Sequence, residues 1–269
     1  MAMPRSHDSK AVQFAVGGRT LPPLSLWVKV TERFRGRTVR RLSEAITGRT
    51  GVLYKDLSPE QRTRISHITG KDEHGNISKG HRHFYFLLWP DEFGLPTRLI
   101  VWSPEMPFEQ EEIEALLAAA SQPIHWDGES ELYLVPLPLE NPLPRAFSTP
   151  SQVWRSLTPF VIPPSRHRFR TKGRLRPGET PDQVATKLLL AAGFPAPQKI
   201  TVQRDSGSSL MRIHQTRQHR LGNNRTGPPP ERPGFRLLIQ FDQPVSGPIV
   251  IGESCHFGLG LFEAVGSNP

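Results

Sequence analysis

HFYFLLWPDEFGLPTRLIVW (His83–Trp102) is the stretch on which the fold turns. Two apolar runs, His83–Trp89 and Arg98–Trp102, are rich in aromatic and β-branched residues and too short for helices. Asp91, Gly94 and Pro96 stand between them, the residue types of a tight connection, so the stretch reads as two neighbouring strands. Downstream, Pro107–Ala120 carries Phe108, Ile113, Leu116 and Leu117 as an apolar stripe. Its acidic residues crowd the first turns, where the helix dipole favours them. Glu131–Leu137 (ELYLVPL) closes the unit as a strand. Upstream, Leu24–Val30 (LSLWVKV) alternates and reads as a strand. Thr31–Thr47 follows at helical spacing through Phe34, Val39, Leu42, Ala45 and Ile46, with Gly48 as its stop. The order is strand, helix, strand, strand, helix, strand.

Proline then breaks the pattern. Pro136, Pro138, Pro142, Pro144 and Pro150 exclude a helix interior or central strand, so this stretch reads as an extended linker. It separates an N-terminal domain, 1–140, from a C-terminal domain, 150–269. Beyond it, Ser156–Pro163 contains a strand-like piece. Thr180-Pro181-Asp182-Gln183 is a helix start, with Val184, Leu188 and Leu189 as its buried face and Gly193 as its end. Ile200–Gln203, Phe235–Phe241 and Gly260–Val265 are strand candidates, and Leu221–Pro233 is a loop rich in Gly, Pro and Asn. Two halves of β-α-β type in tandem, an α+β chain, are the most economical reading. Sheets of this kind present a broad face of the sort RNA-binding modules use.

Lys and Arg total 34 and Asp and Glu 25 in the 269 residues, a formal net charge of +9. With an isoelectric point near 10.2, the chain is expected to meet a polyanion, nucleic acid before a membrane surface. One cysteine, Cys255, excludes a disulfide or a Cys-based zinc site within the chain and suits a reducing cytoplasm. The N-terminus has no apolar core of signal-peptide length, and no apolar run approaches a membrane span. The expectation is a soluble, cytoplasmic protein without membrane contact. No HExxH motif and no dense acidic cluster suggests a metal-dependent nuclease, so neither metal nor cofactor is expected.

The cations are grouped. In RHRFRTKGRLR, Arg166, Arg168, Arg170, Lys172, Arg174 and Arg176 occupy every second position. On an extended strand they share one face, about 6.6–6.8 Å apart, close to the phosphate spacing of a nucleic acid; the plainer reading is a flexible basic loop. A second group is Arg33, Arg35, Arg37, Arg40 and Arg41, of which Arg33, Arg37, Arg40 and Arg41 can share a helix face. A third is Arg212, His214, Arg217, His219 and Arg220. Each of these is equally the composition of a solvated face, but three groups in one chain favour a long polyanion over a small acidic ligand.

His81 and His83 flank Arg82 at the start of an apolar strand, pointing the same way as Tyr85 if the chain is extended. Imidazoles titrating near pH 6.5 can take the proton of a ribose 2′-hydroxyl and protonate the leaving 5′-oxygen without a metal. Two surface histidines or a metal pair would have the same spacing. Gly252, Gly258 and Gly260 lie in GPIVIGESCHFGLGLF (247–262), where glycines allow close approach of backbone amides to phosphate. No G-K-[ST] follows, so it is not a Walker loop. A plain glycine-rich hairpin fits as well. Cys255 and His256 are adjacent and so point apart, which argues against a nucleophilic dyad.

With these residues in place, a family resemblance can be stated. Gly252-x-x-x-His256-Phe257-Gly258-x-Gly260-Leu261-Phe262 resembles the terminal glycine-rich loop of the RAMP proteins of CRISPR systems. Thr69-Gly70-Lys71-Asp72 through Gly80-His81-Arg82-His83, with the Arg98–Pro104 strand and Val153–Val161, resembles the endoribonuclease half of the fused subunit of type I-U (I-G) systems. The resemblance implies two tandem ferredoxin-like (RRM-like) domains. It implies binding of a CRISPR repeat RNA and one metal-independent cut 3′ of its stem, leaving a 2′,3′-cyclic phosphate and a 5′-hydroxyl. His81 and His83 then become the acid/base candidates, with Arg37 beside them, and Gly252, His256, Gly258 and Gly260 the RNA-cradling loop. Arg33, Arg40, Arg41, Lys71 and the alternating cations fall to the RNA backbone. The sequence does not include the fused subunit's N-terminal half, so the expectation is either a stand-alone version or one half of such a fusion. Catalytic residues vary among these nucleases, which keeps Arg33, Arg37, Tyr54 and Lys71 under consideration. The alternative is a non-catalytic subunit that holds guide RNA inside a larger CRISPR effector complex.

Overall fold

The computed structural model describes residues 10–76, 83–163, 180–204 and 233–266. The chain divides into two compact units, Met1–Asn141 and Pro142–Pro269.

In the first unit, β1 (Ala11–Gly17), α1 (Trp27–Thr47), the short helices α2 (Pro59–Arg64) and α3 (Ser66–Thr69), β2 (Tyr85–Pro90), β3 (Pro96–Trp102), α4 (Gln110–Ala120), β4 (Ile124–His125) and β5 (Glu131–Pro136) follow one another. The sheet order is β2-β3-β1-β5-β4, antiparallel throughout. Without the two-residue β4, this is the strand order of a ferredoxin-like domain. The core lies between the sheet and the two long helices. Phe14, Phe34 and Phe86, each 0% exposed, meet edge to face at 5.4 and 6.0 Å between ring centroids. Each buried ring is worth about 1.5–3 kcal/mol relative to an exposed one.

The opening of this unit departs from the sequence reading. Leu24–Val30 is no strand: Leu24–Leu26 form a 3₁₀ turn and α1 begins at Trp27. The true first strand is Ala11–Gly17. The alternation of LSLWVKV is also the opening of a helical stripe, since Trp27, Val30, Thr31, Phe34, Thr38 and Leu42 are buried three or four residues apart. Two features suit the helix start. The Trp27 indole donates to the Pro22 carbonyl at 3.1 Å, and the Thr31 hydroxyl donates back to Val28.

In the second unit, α5 (Arg145–Ser148) is a single turn within the proline-rich stretch. It is followed by β6 (Ser151–Ser156), β7 (Phe160–Val161), α6 (Pro181–Ala191), β8 (Lys199–Arg204), β9 (Gly234–Val245) and β10 (Phe262–Ala264). β6 and β7 pair with successive parts of the same side of β9, so they act as one interrupted strand, while β8 takes the other side. β10 pairs with β6. The order β8-β9-β6-β10 repeats the first unit's β2-β3-β1-β5, with the glycine-rich segment 246–261 where the first unit has α4. Val184, Ala185 and Leu189 of α6 pack on Trp154, Ile239 and Phe262. The architecture is α+β, two ferredoxin-like units in tandem. Among the described residues no helix is long and apolar enough to cross a membrane.

Candidate nucleic-acid interface

The connection from α1 to β2 gathers the reactive side chains. α2 opens with Ser58 capping Gln61 N–H at 3.3 Å and Pro59 at the first position. α3 ends on Gly70, whose φ of +62° is the left-handed geometry that favours glycine. Arg35 of α1 grips this end: its guanidinium donates to the carbonyls of Ile68 at 3.0 Å and Thr69 at 2.5 Å. Those carbonyls would otherwise be orphans of the helix terminus. The turn at Gly70 therefore has a fixed position on α1.

Lys71 follows at once, and its ammonium stands 5.0 Å from the centroid of the Tyr54 ring. The Arg62 guanidinium lies 5.5 Å from the same centroid. It is held there by donating to the carbonyls of Lys55 at 2.9 Å and Glu73 at 3.4 Å. The Tyr54 hydroxyl donates to the Asp72 carbonyl at 3.3 Å. Burial raises the pKa of this phenol, the Arg62 charge opposing, so Tyr54 stays protonated at neutral pH. The His83 imidazole rests on Gly70, close enough that a side chain there would collide with it. His83 and Tyr85 point the same way, their rings 13° from parallel and 6.5 Å apart.

A further histidine was not singled out by the sequence. His67 of α3 is half-buried, with Nδ1 3.6 Å from Oε1 of Glu112, a carboxylate only 3% exposed. The other Glu112 oxygen accepts the Glu109 N–H at 2.9 Å, closing the start of α4. Pairing with Glu112 raises the His67 pKa above its ordinary value, burial opposing. Next to it, Arg64 bridges to Glu111 at 2.7 Å, so α2 and α3 are tied to the first turn of α4 by two ion pairs. Sequence spacing gave no sign of the pair, because His67 and Glu112 are 45 positions apart (112 − 67).

The cations of α1 divide. Arg33 donates to the His125 carbonyl and Arg37 to the Gln122 carbonyl at 2.9 Å, so both fasten α1 to the connection after α4. Burial, then the charges of Arg33 and Arg41, lower the Arg37 pKa from its very high ordinary value. Arg40 and Arg41 share Glu44 at 3.1 and 3.0 Å and leave 60% and 45% of their side chains exposed. Arg33 is exposed as well, so of the expected stripe only Arg37 is half-buried. Arg166, Arg168, Arg170, Lys172, Arg174 and Arg176, the group Arg212–Arg220, and His81 lie outside the described residues.

The glycine-rich segment serves its own unit. A side chain on Gly260 would lie 1.8 Å from the Ile251 carbonyl oxygen, and one on Gly252 2.9 Å from that of Val161. Gly252, Gly258 and Gly260 all have positive φ, and Ser254 adopts the left-handed region without being glycine. The amides of Glu253, Phe257, Gly258, Leu259 and Gly260 donate to main-chain carbonyls of Val161, Ser254, Cys255, Ser254 and Pro159. The buried Thr158 hydroxyl donates to the Gly258 carbonyl at 2.6 Å and accepts the Leu261 amide at 2.9 Å. Gly252, Gly258 and Gly260 are buried and His256 is half-buried. Most donors that a phosphate nest would need are thus engaged within the fold.

No protein-family model matches the chain, and no curated protein matches it. Among solved structures, the chain is similar to a Cas6 product complex, at 15% identity and a TM-score of 0.44, over 96% of this chain and 99% of that one. It is similar to a RAMP protein binding different RNA substrates, at 12% and 0.39, over 95% and 99%. It is also similar to Csf5, a type IV Cas6 crRNA endonuclease, at 10% and 0.33, over 94% and 98%.

Proposed function

We propose that the chain binds a CRISPR repeat RNA and cuts it once by metal-independent attack of a ribose 2′-hydroxyl on the adjacent phosphate. The observation that carries this reading is the turn at Gly70, on which the His83 ring rests and which leads directly into Lys71, beside the Tyr54 ring. In the reaction an imidazole removes the 2′-hydroxyl proton and the oxygen attacks phosphorus. The resulting phosphorane carries extra negative charge, which a fixed ammonium such as Lys71 stabilises. The P–O5′ bond breaks and the 5′-oxygen takes a proton, giving a 2′,3′-cyclic phosphate and a 5′-hydroxyl. His81 and His83 are the proposed acid and base, and His67 is a third imidazole on the same connection. Arg37, proposed from sequence beside them, serves here through its grip on Gln122. The net charge of +9 and the exposed Arg40 and Arg41 suit the RNA backbone.

A second reading is favoured by the close packing of His83 on Gly70, which a purely structural histidine would share. In that reading the chain holds guide RNA, alone or with other subunits, and cuts nothing. A cleavage assay on repeat RNA in EDTA separates the two. It compares wild type with His81→Ala, His83→Ala and His67→Ala, and includes a substrate with a 2′-deoxy residue at the scissile position. Cutting in EDTA that is lost with the 2′-deoxy substrate, and falls on the order of 10²- to 10⁴-fold with one histidine change, supports the nuclease. Tight binding without cutting by wild type leaves the holding subunit.

A further inference from the structure

The aromatic residues of the first sheet lie mostly on its buried side or are covered, but Tyr133 does not. It sits on β5 with Val135, on the face opposite Leu132 and Leu134, and the two side chains are 49% and 59% exposed. Their neighbours on β1 are the smallest available: Gly17 pairs with Tyr133 and Ala15 with Val135. A methyl group built on Gly17 meets nothing within 4 Å, so the surface at this residue is open. The ring itself is tethered. The Tyr133 hydroxyl donates to the Glu131 carboxylate, whose other oxygen lies 3.7 Å from the His125 imidazole. In the neighbouring row of Val135, Ala15 pairs with Arg98 on β3, a half-buried cation whose guanidinium donates to Gln13 Oε1 at 3.2 Å. Arg19, exposed, comes two residues after Gly17.

We propose that Tyr133 is a stacking platform for one base of a single-stranded RNA segment, with the adjoining phosphate toward the exposed Arg19. The proposal rests on the reading that this chain binds RNA. An aromatic face next to cations is the combination that holds unpaired nucleic acid, because every base has a π-face to stack. The tether leaves the ring with little freedom to lose on binding. Two exposed apolar side chains beside Gly17 and Ala15 suit one flat base. A stable protein interface needs roughly 800 Å² on each partner, far more than this patch offers.

The test is binding by fluorescence anisotropy of two RNAs, an oligoadenylate of about ten nucleotides, within the range of single-strand site sizes, and a blunt stem-loop without tails. Wild type is compared with Tyr133→Ala and Tyr133→Phe. Tyr133→Ala should weaken oligoadenylate binding roughly 5- to 150-fold, the cost of one lost base–aromatic stack. It should leave the stem-loop affinity unchanged, and Tyr133→Phe should keep most of the oligoadenylate affinity. Thermal melting of both variants should match wild type, since the position is exposed. Oligoadenylate affinity unaffected by Tyr133→Ala, or an equal loss on both RNAs, overturns the platform while the RNA reading stands. Failure of wild type to bind either RNA overturns both.

Discussion

The His83 imidazole occupies the space into which a side chain at Gly70 would project, and a methyl group at residue 70 would come within 2.9 Å of three of its ring carbons. Gly70 also has φ of +62°, which costs a residue with a Cβ about 1–2 kcal/mol. Gly70→Ala should therefore lose more stability than strain alone explains, and His83→Ala should restore the part due to the collision. Urea unfolding of both single variants and the double variant checks this. The expected coupling is about 0.5–3 kcal/mol. Additive losses would mean that the ring does not rest on Gly70.

The Lys71 ammonium, 5.0 Å from the Tyr54 ring centroid, bears on the reaction proposed above. Lys71→Met keeps the length of the side chain and removes its charge. Cleavage should fall by about 10²- to 10³-fold, the usual effect of removing one group that stabilises developing charge. RNA affinity should change little, since one cation among 34 is lost. Tyr54→Phe keeps the ring beside both cations and gives up the hydroxyl's bonds to the Asp72 carbonyl, at 3.3 Å, and to Thr69, so it should stay near wild type. Tyr54→Ala frees both cations and should resemble Lys71→Met. Single-turnover cleavage and filter binding on the same preparations separate rate from affinity.

How far the sequence carried the reading follows from where the signals sit. The hairpin of β2 and β3, the helix α4 and the strand β5 were legible because their apolar patterns match one period each. The seven residues Leu24–Val30 read as a strand because their alternation fits both a strand and the first turns of a helix. The Pro22 carbonyl that receives the Trp27 indole shows no periodicity at all. Ala11–Gly17 was missed because AVQFAVG offers only Val12, Phe14 and Val16 as its inward face. In the site, Lys71, Tyr54 and His83 were within reach of motif reading. His67, Glu112 and Arg35 were not, because their partners are fixed by the packing of α1, α3 and α4 rather than by spacing along the chain. The glycines were noticed for the right reason, close approach, but backbone of their own unit is what approaches Gly252 and Gly260.

The His67–Glu112 pair predicts a pH dependence of stability with a definite sign. Glu112 raises the His67 pKa in the folded state, so the folded chain binds this proton more tightly than the unfolded chain does. The stabilising contribution is complete below the unfolded value of about 6.5 and is lost as pH rises through the higher folded value. The difference in melting temperature between wild type and His67→Gln should thus be largest near pH 6 and shrink toward pH 8.5. Glu109, which adds to the effect, and Glu112 itself are the carboxylates acting on the imidazole. Glu112→Gln should remove most of this dependence, leaving only the smaller contribution of Glu109, while its side-chain oxygen can still accept the Glu109 amide. A difference that grows with pH would contradict the pairing.

Thr158 decides whether the glycine-rich segment is scaffold or contact surface. Its hydroxyl is 2% exposed and bridges the Gly258 carbonyl and the Leu261 amide, the two sides of the loop's exit. Thr158→Val preserves the shape and leaves both main-chain groups without this partner, a cost of about 1–3 kcal/mol for each buried group stranded. Gly260→Ala should be worse, since its methyl would overlap the Ile251 carbonyl oxygen at 1.8 Å. If the loop is scaffold, both changes lower the unfolding midpoint of the chain. Any loss of RNA affinity then disappears when binding is measured well below that midpoint. If the loop is a contact surface, RNA affinity of Thr158→Val stays low at every temperature at which the chain is folded. Circular dichroism melts and anisotropy titrations of Thr158→Val at two temperatures distinguish these outcomes. The occupied amides of Glu253, Phe257, Gly258, Leu259 and Gly260 point to the first.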